Sequence, residues 1–144
     1  FDCRMPMIAA MHEDDSPGLS EVARILAEIL EIEDVGLDIR KLIVKTCDVV
    51  TRRAARLAAA GIVGILKKMG RDGSGGKDEE MKRTVVGVEG SLYTRYTSFR
   101  EYLNEAVEQI LGHEVASHVV INVVEDGAGI GPALLAAAAA SSSS

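Results

Sequence analysis

Val119 to Leu135 reads VVINVVEDGAGIGPALL, and the fold turns on how that stretch divides. Its first half is β-branched, as a buried strand is, and its second half is a turn of alternating glycines running into a helix. Gly127, Gly129 and Gly131 permit positive φ and close backbone approach. Pro132 suits the first helical turn, where its missing N–H costs little, and Ala133 to Ala140 continue the helix. Strand, glycine turn and helix N-terminus in that order present free backbone N–H groups and the positive end of a dipole, a setting that favours phosphate or another anion. A glycine turn also serves plain strand–helix packing, and this stretch alone leaves both readings open.

The spacing excludes two common nucleotide loops. A dinucleotide fingerprint needs its third glycine at position 132, which is Pro132. Gly76-Lys77 has Arg71 where a Walker-type loop needs glycine and Asp78 where it needs Ser or Thr.

Upstream, the pattern repeats. Thr84 to Val88 reads as a strand closed by Glu89-Gly90-Ser91, and Ser98 to Leu111 as a helix. Phe99, Tyr102, Leu103, Ala106, Val107, Ile110 and Leu111 form the apolar side of that helix, and Gly112 stops it. Two strand–turn–helix units in succession predict parallel strands joined by right-handed crossovers, with any ligand beyond the carboxyl ends of the strands. Both glycine turns fall at those ends, which favours a nucleotide over packing alone. Glu89, Glu125 and Asp126 fall there too, placed to meet a hydroxyl, an amine or hydrated magnesium, or to cap the following helix.

In the first half of the chain, residues 1–15 read as irregular and end in the acidic cluster His12-Glu13-Asp14-Asp15, a solvated approach to the next element. Ser16 as N-cap and Pro17 in the first turn open a helix carrying Leu19, Val22, Ile25, Leu26, Ile29 and Leu30 at helical spacing. Leu37 to Met69 predicts a single helix of roughly 50 Å. Gly61 and Gly64 in its Ala-rich C-terminal half each cost roughly 1 kcal/mol, so close packing is expected there and this half should be the most buried helix. Lys67, Lys68 and Gly70 end it, and Arg71 to Glu80 is a loop expected to be mobile. The element order is helix, long helix, strand, helix, strand, helix, an α/β chain. The serines of 141–144 follow as a disordered tail.

At 144 residues the chain holds one core, and with 47% apolar but 3% aromatic residues that core should be built from Val, Ile, Leu and Ala. Residues 37–71 carry nine Lys and Arg against Asp38 and Asp48 within a net charge of -6. No aromatic lies among them, so a solvated cationic face is expected and no nucleic-acid partner. Cys3 and Cys47 make neither a disulfide framework nor a zinc pattern, which points to a reduced intracellular setting, expected to be cytoplasmic, with organelle targeting by an upstream segment as the alternative. The longest apolar run, Leu57 to Leu66, falls far short of the ~20 residues of a membrane span. His113 and His118 are five apart and do not fit a zinc helix, so they are expected on the surface. No nucleophile, catalytic base or metal site stands out. The chain opens on Phe1, and a processed chain or a piece of a longer one is expected.

Four segments carry a family resemblance: Ala10 to Pro17 (AMHEDDSP), Val49 to Val63 (VVTRRAARLAAAGIV), Val86 to Tyr93 (VGVEGSLY) and Glu125 to Gly131 (EDGAGIG). In this order and spacing the chain resembles the C-terminal portion of a hexokinase, most closely the plant type. The resemblance implies an ATP-dependent hexose kinase using Mg2+, with residues 1–140 as the closing part of the larger lobe of an actin-like, ribonuclease H-like ATPase fold. It sets Gly90, Ser91 and Leu92 against the adenosine, and Asp126, Gly127, Ala128 and Gly129 near the nucleotide at the head of the last helix. Ala128 stands where many relatives have serine, and Met5 and Ala9 where a Thr and a Ser are expected near the nucleotide. The family's aspartate base and sugar pocket lie upstream of these segments. The chain alone is therefore expected to bind ATP or ADP weakly and to leave glucose unphosphorylated, with hexose a partner only of the full-length protein. The alternative is a non-catalytic fragment acting in protein interaction or sugar sensing, prone to self-association through an exposed sheet.

Overall fold

The computed structural model describes residues 4–74, 83–124 and 131–135. At its centre a helix of 32 residues, α3 (Leu37–Lys68), runs about 48 Å at the standard rise. Its buried positions Cys47, Thr51, Ala55, Ala59, Val63 and Leu66 recur almost every fourth residue and draw one stripe along it. Against the stripe lie two clusters.

The first cluster covers the N-terminal half of α3. It contains α1 (Met5–His12), α2 (Ser20–Arg24) and a π-helical turn, Ile25–Ile29, which bury Met11, Val22, Ile25 and Leu26 beside Cys47. Two expectations fail here. Residues 5–12 are helical, not irregular, with Pro6 in the first turn, where its missing N–H is harmless. The next helix starts at Ser20 instead of at Pro17, because Ser16 to Leu19 closes a turn and Leu19 takes left-handed φ of 49°. Asp14, expected in solvent, builds that turn. Its Oδ1 accepts from Ser16 N and Oγ at 3.0 and 2.6 Å, and its Oδ2 accepts from Val22 N at 3.0 Å. Burial alone would raise the Asp14 carboxyl, but these hydrogen bonds outweigh it and hold it below the ordinary aspartate value.

The second cluster joins α3 to α5 (Thr97–Leu111), with α4 (Ser91–Arg95) at its edge. Tyr93, Tyr96, Phe99, Leu103, Ala106 and Val107 interlock with Ala55, Ala59 and Val63. Three of the few aromatics therefore sit at the centre of a core expected to be aliphatic. Small alanines on α3 leave the space that the rings fill. The C-terminal half of α3 is not the most buried helix: Leu57 and Ile65 are each 63% exposed, and open space surrounds the Cβ positions of Gly61 and Gly64. Ile110, placed on the apolar side of α5, is likewise exposed.

A short helix, α6 (His113–Ala116), leads from α5 into the sheet. The strands β1 (Thr84–Val88) and β2 (Val119–Val123) pair in parallel, with Thr84 opposite Val119 and Val88 opposite Val123, as the repeated unit predicts. Gly87 is required by close approach, since a Cβ there would lie 2.7 Å from Val124 Cγ2. The buried strand expected at 119–123 is only half covered: its first three residues are partly buried, and Asn122 and Val123 are exposed. Residues 131–135 are helical, as expected after the last turn.

Candidate functional site

Beyond the carboxyl end of β1 the chain turns at Gly90, whose φ of 117° and ψ of 152° only glycine adopts without strain. No atom lies within 4 Å of the Cβ it lacks, so backbone conformation and not crowding demands glycine here. The Gly90 carbonyl accepts from the backbone N–H groups of Tyr93 and Thr94, each at 3.2 Å, and from Thr94 Oγ1 at 3.2 Å. Those bonds wind α4 and point Tyr93 into the core, where its hydroxyl donates to Asn104 Oδ1 at 3.4 Å.

The outward side of the same turn faces α1. Ser91, Leu92, Arg95 and Tyr96 from one side and Met5, Pro6, Ala9, Ala10 and Glu13 from the other line a cavity of about 380 Å³. Its walls are mostly carbon, and the residues that bring polar side chains to it are few: Ser91, Glu13 and Arg95, with Tyr96. Glu13 is held in place by Ser98, whose backbone N–H and Oγ donate to Oε1 at 2.9 and 3.1 Å. A mostly apolar cleft with a few polar groups suits a flat heterocycle with its sugar better than a triphosphate.

What fixes the α1 wall is a buried polar relay. The His12 side chain, only 7% exposed, shares a hydrogen bond of 2.7 Å between Nδ1 and the Tyr96 hydroxyl and sets Nε2 3.4 Å from Asp48 Oδ1. The Tyr96 hydroxyl is also 2.8 Å from Thr51 Oγ1. Asp48 Oδ1 accepts from the Tyr102 hydroxyl at 2.5 Å and from Arg52 at 3.1 Å, and the Arg52 guanidinium lies 4.0 Å from the centre of the Tyr102 ring. The Tyr102 hydroxyl is the largest influence holding the Asp48 carboxyl below its ordinary value, and burial pushes the Tyr96 hydroxyl up to about 12. Among the described residues no buried side-chain nitrogen or oxygen lacks a partner.

Of the residues expected at a nucleotide site, Ser91 and Leu92 stand in the cavity wall and Gly90 makes the turn that presents them. Met5 and Ala9 come to the same cavity from the opposite end of the chain. Asp126, Gly127, Ala128 and Gly129, with Glu125, lie outside the described residues, and so do residues 75–82 and the tail. Glu89 follows β1 and is exposed. Among the described residues no group of three or more His, Cys, Asp or Glu is placed to hold a metal ion. His113 is exposed and pairs with Glu108 at 2.7 Å, and His118 is partly buried. His12, Thr51, Tyr96 and Tyr102 had no signal in the sequence, since the bonds between them join residues 45 to 84 positions apart.

Comparison with known proteins gives one family. The family model described as hexokinase matches residues 1–138. Hexokinase-3 of Oryza sativa subsp. japonica is 61% identical over an alignment of 142 positions that covers 95% of this chain and 28% of that protein. Hexokinase-4 of Arabidopsis thaliana is 59% identical over 145 residues, 98% of this chain and 29% of its own length. Hexokinase-1 of Arabidopsis thaliana is 43% identical, over 95% of this chain and 27% of its own length. The chain thus spans little more than a quarter of the relatives it matches.

Proposed function

Because this chain belongs to the hexokinase family, we propose that it forms the nucleotide-side, C-terminal part of an ATP-dependent hexose kinase and binds the adenosine end of ATP or ADP between α1 and α4. Its mixed architecture with a parallel strand pair is consistent with a hexokinase domain of the actin-like ATPase fold. On this reading residues 1–140 are an incomplete lobe of that fold, 141–144 are a tail, and the compartment is the cytoplasm.

The observation that carries the proposal is the cavity itself. Ser91 and Leu92 beyond a strand end meet Met5 and Ala9, some 85 positions earlier in the chain, across about 380 Å³ of mostly apolar space. The apolar walls fit the adenosine and not the magnesium triphosphate. The resemblance sets Asp126, Gly127, Ala128 and Gly129 near the nucleotide, and Mg2+ bound to the phosphates would neutralise their charge. Phosphoryl transfer works by positioning donor and acceptor and stabilising charge, and needs a base beside the sugar hydroxyl. By the family resemblance that base and the sugar pocket lie upstream of the matching segments, so on this reading the chain by itself holds nucleotide and leaves glucose unchanged. Two measurements on the purified chain test this. ATP should bind in a titration, and glucose-6-phosphate should form no faster than in buffer; release of product above that control overturns the inactivity.

A second reading, a non-catalytic fragment that associates through its sheet, is favoured by one observation. Val85 is 60% exposed and Val120, its partner in register, is only partly buried, so the strand pair shows an apolar face to solvent. Light scattering that gives a monomer, with no binding of a dye for apolar surface, removes this reading. No helix among the described residues is long and apolar enough to cross a membrane.

A further inference from the structure

One whole wall of the cavity, Met5, Pro6, Ala9 and Ala10 with Glu13 just beyond, comes from α1. An eight-residue helix has little stability of its own, so its place depends on what it docks against. Its buried apolar anchor is Met11, and its last residue is His12. We propose that His12 is a positioning residue for the pocket: by bridging Tyr96 and Asp48 it tethers the α1 wall to the α3–α5 frame and sets how tightly the cavity closes on its ligand. The effect on a ligand rests on the nucleotide reading of the cavity, and the tether itself does not.

The hydrogen-bond topology makes the effect local. His12 is not in the cavity wall, but Tyr96, its partner at 2.7 Å, is. The imidazole stands edge-on to the Tyr96 ring, with centroids 5.8 Å apart at 86°, and 6.2 Å from the Tyr102 ring. Without the imidazole, Tyr96 keeps Thr51, and Asp48 keeps Tyr102 and Arg52. No group of α3 or α5 is left buried without a partner, and that frame loses nothing it needs. Only α1 loses a polar hold, and it retains Met11, the partly buried Met7, Ile8, Ala9 and Ala10, and the Glu13–Ser98 bonds.

The test uses the full chain with His12→Phe, which keeps a ring but neither the hydrogen bond to Tyr96 nor the contact with Asp48, and His12→Asn, whose amide takes the place of Nδ1 and keeps the bond to Tyr96. ATP affinity and hydrogen exchange of the backbone amides are both measured. His12→Phe should weaken ATP binding about five- to tenfold. It should speed exchange in Met5 to His12 while exchange in α3 and α5 stays as in the wild type, and His12→Asn should recover most of both. Unchanged exchange in α1, equal acceleration across α1, α3 and α5, or an Asn variant no better than Phe overturns the tether. If the wild-type chain binds no ATP, the nucleotide reading falls, and the exchange pattern alone still decides for or against the tether.

Discussion

The helical frame and the strand pair of this molecule were both laid down by apolar patterns in the sequence, yet only one of them closes. Between α3 and α5 the stripes match face to face, and Phe99, Leu103, Ala106 and Val107 are at most 5% exposed. In the β1–β2 pair, Val85 and Val123 keep 60% and 48% of their surface in solvent, and Val124 just after β2 keeps 40%. A helix pair buries one stripe against another and is then satisfied. Parallel strands need cover on both faces, and two strands with a helix on one side do not provide it. Within the described residues stability therefore belongs to the helices, and the sheet serves to carry the Gly90 turn to the cavity.

The largest expected effect probes that division. Phe99→Ala should cost about 3–5 kcal/mol in urea unfolding, whereas Val85→Thr on the open face should stay within about 0.5 kcal/mol. Comparable losses at the two positions would mean that the strand pair is covered in solution. Tyr96→Phe comes next. It deletes the hydroxyl shared by His12 and Thr51 and should cost about 1–2 kcal/mol by the same assay, because both partners are left short inside the frame.

Acid offers a smaller perturbation of the frame. The folded Asp48 carboxyl lies below its ordinary value, so its contribution is present in full above the unfolded value of 3.8 and is lost as pH falls through the lowered one. Asp48 is partly solvated, which limits the contribution to under about 1 kcal/mol. Melting curves from about pH 5 down to about pH 2, which bracket the titration, should show Asp48→Asn losing less stability on acidification than the wild type. The smallest expected change is a gain. With open space around its Cβ position inside a helix, Gly61→Ala should stabilise the chain by about 0.5–1 kcal/mol. A loss instead would show that something packs on this face in solution.

Much of the architecture was legible because it is written in short-range periodicity. The bounds of β1 and of α3 follow from runs of residues whose neighbours in sequence are also their neighbours in the element. Parallel pairing followed from the repeated strand–turn–helix unit. The glycine at 90 marked a turn because left-handed backbone is a property of one residue. What went unseen is equally consistent. The start at Ser20 depends on Asp14 reaching Val22, eight residues away. Met5 to His12 carries too weak a pattern to announce a helix, and the exposure of Leu57 and Ile65 reflects what α3 lacks as a neighbour. Of the cavity's lining, Ser91 was singled out by the turn it sits in, and Leu92, Met5 and Ala9 only through resemblance. The relay behind the α1 wall was not singled out at all.

By itself, then, the sequence determined the kinds of element, the parallel sense of the strands, the turn that presents Ser91 and the family to which the chain belongs. Local backbone preference and apolar period act over a few residues and need no knowledge of the whole. Tertiary structure alone decided that tyrosines occupy the heart of the core, that His12 is buried and not solvated, and that residues near positions 5 and 91 share a cavity. Each of those depends on which faces meet, and hydrogen bonds across 45 to 84 positions form only once the helices have packed.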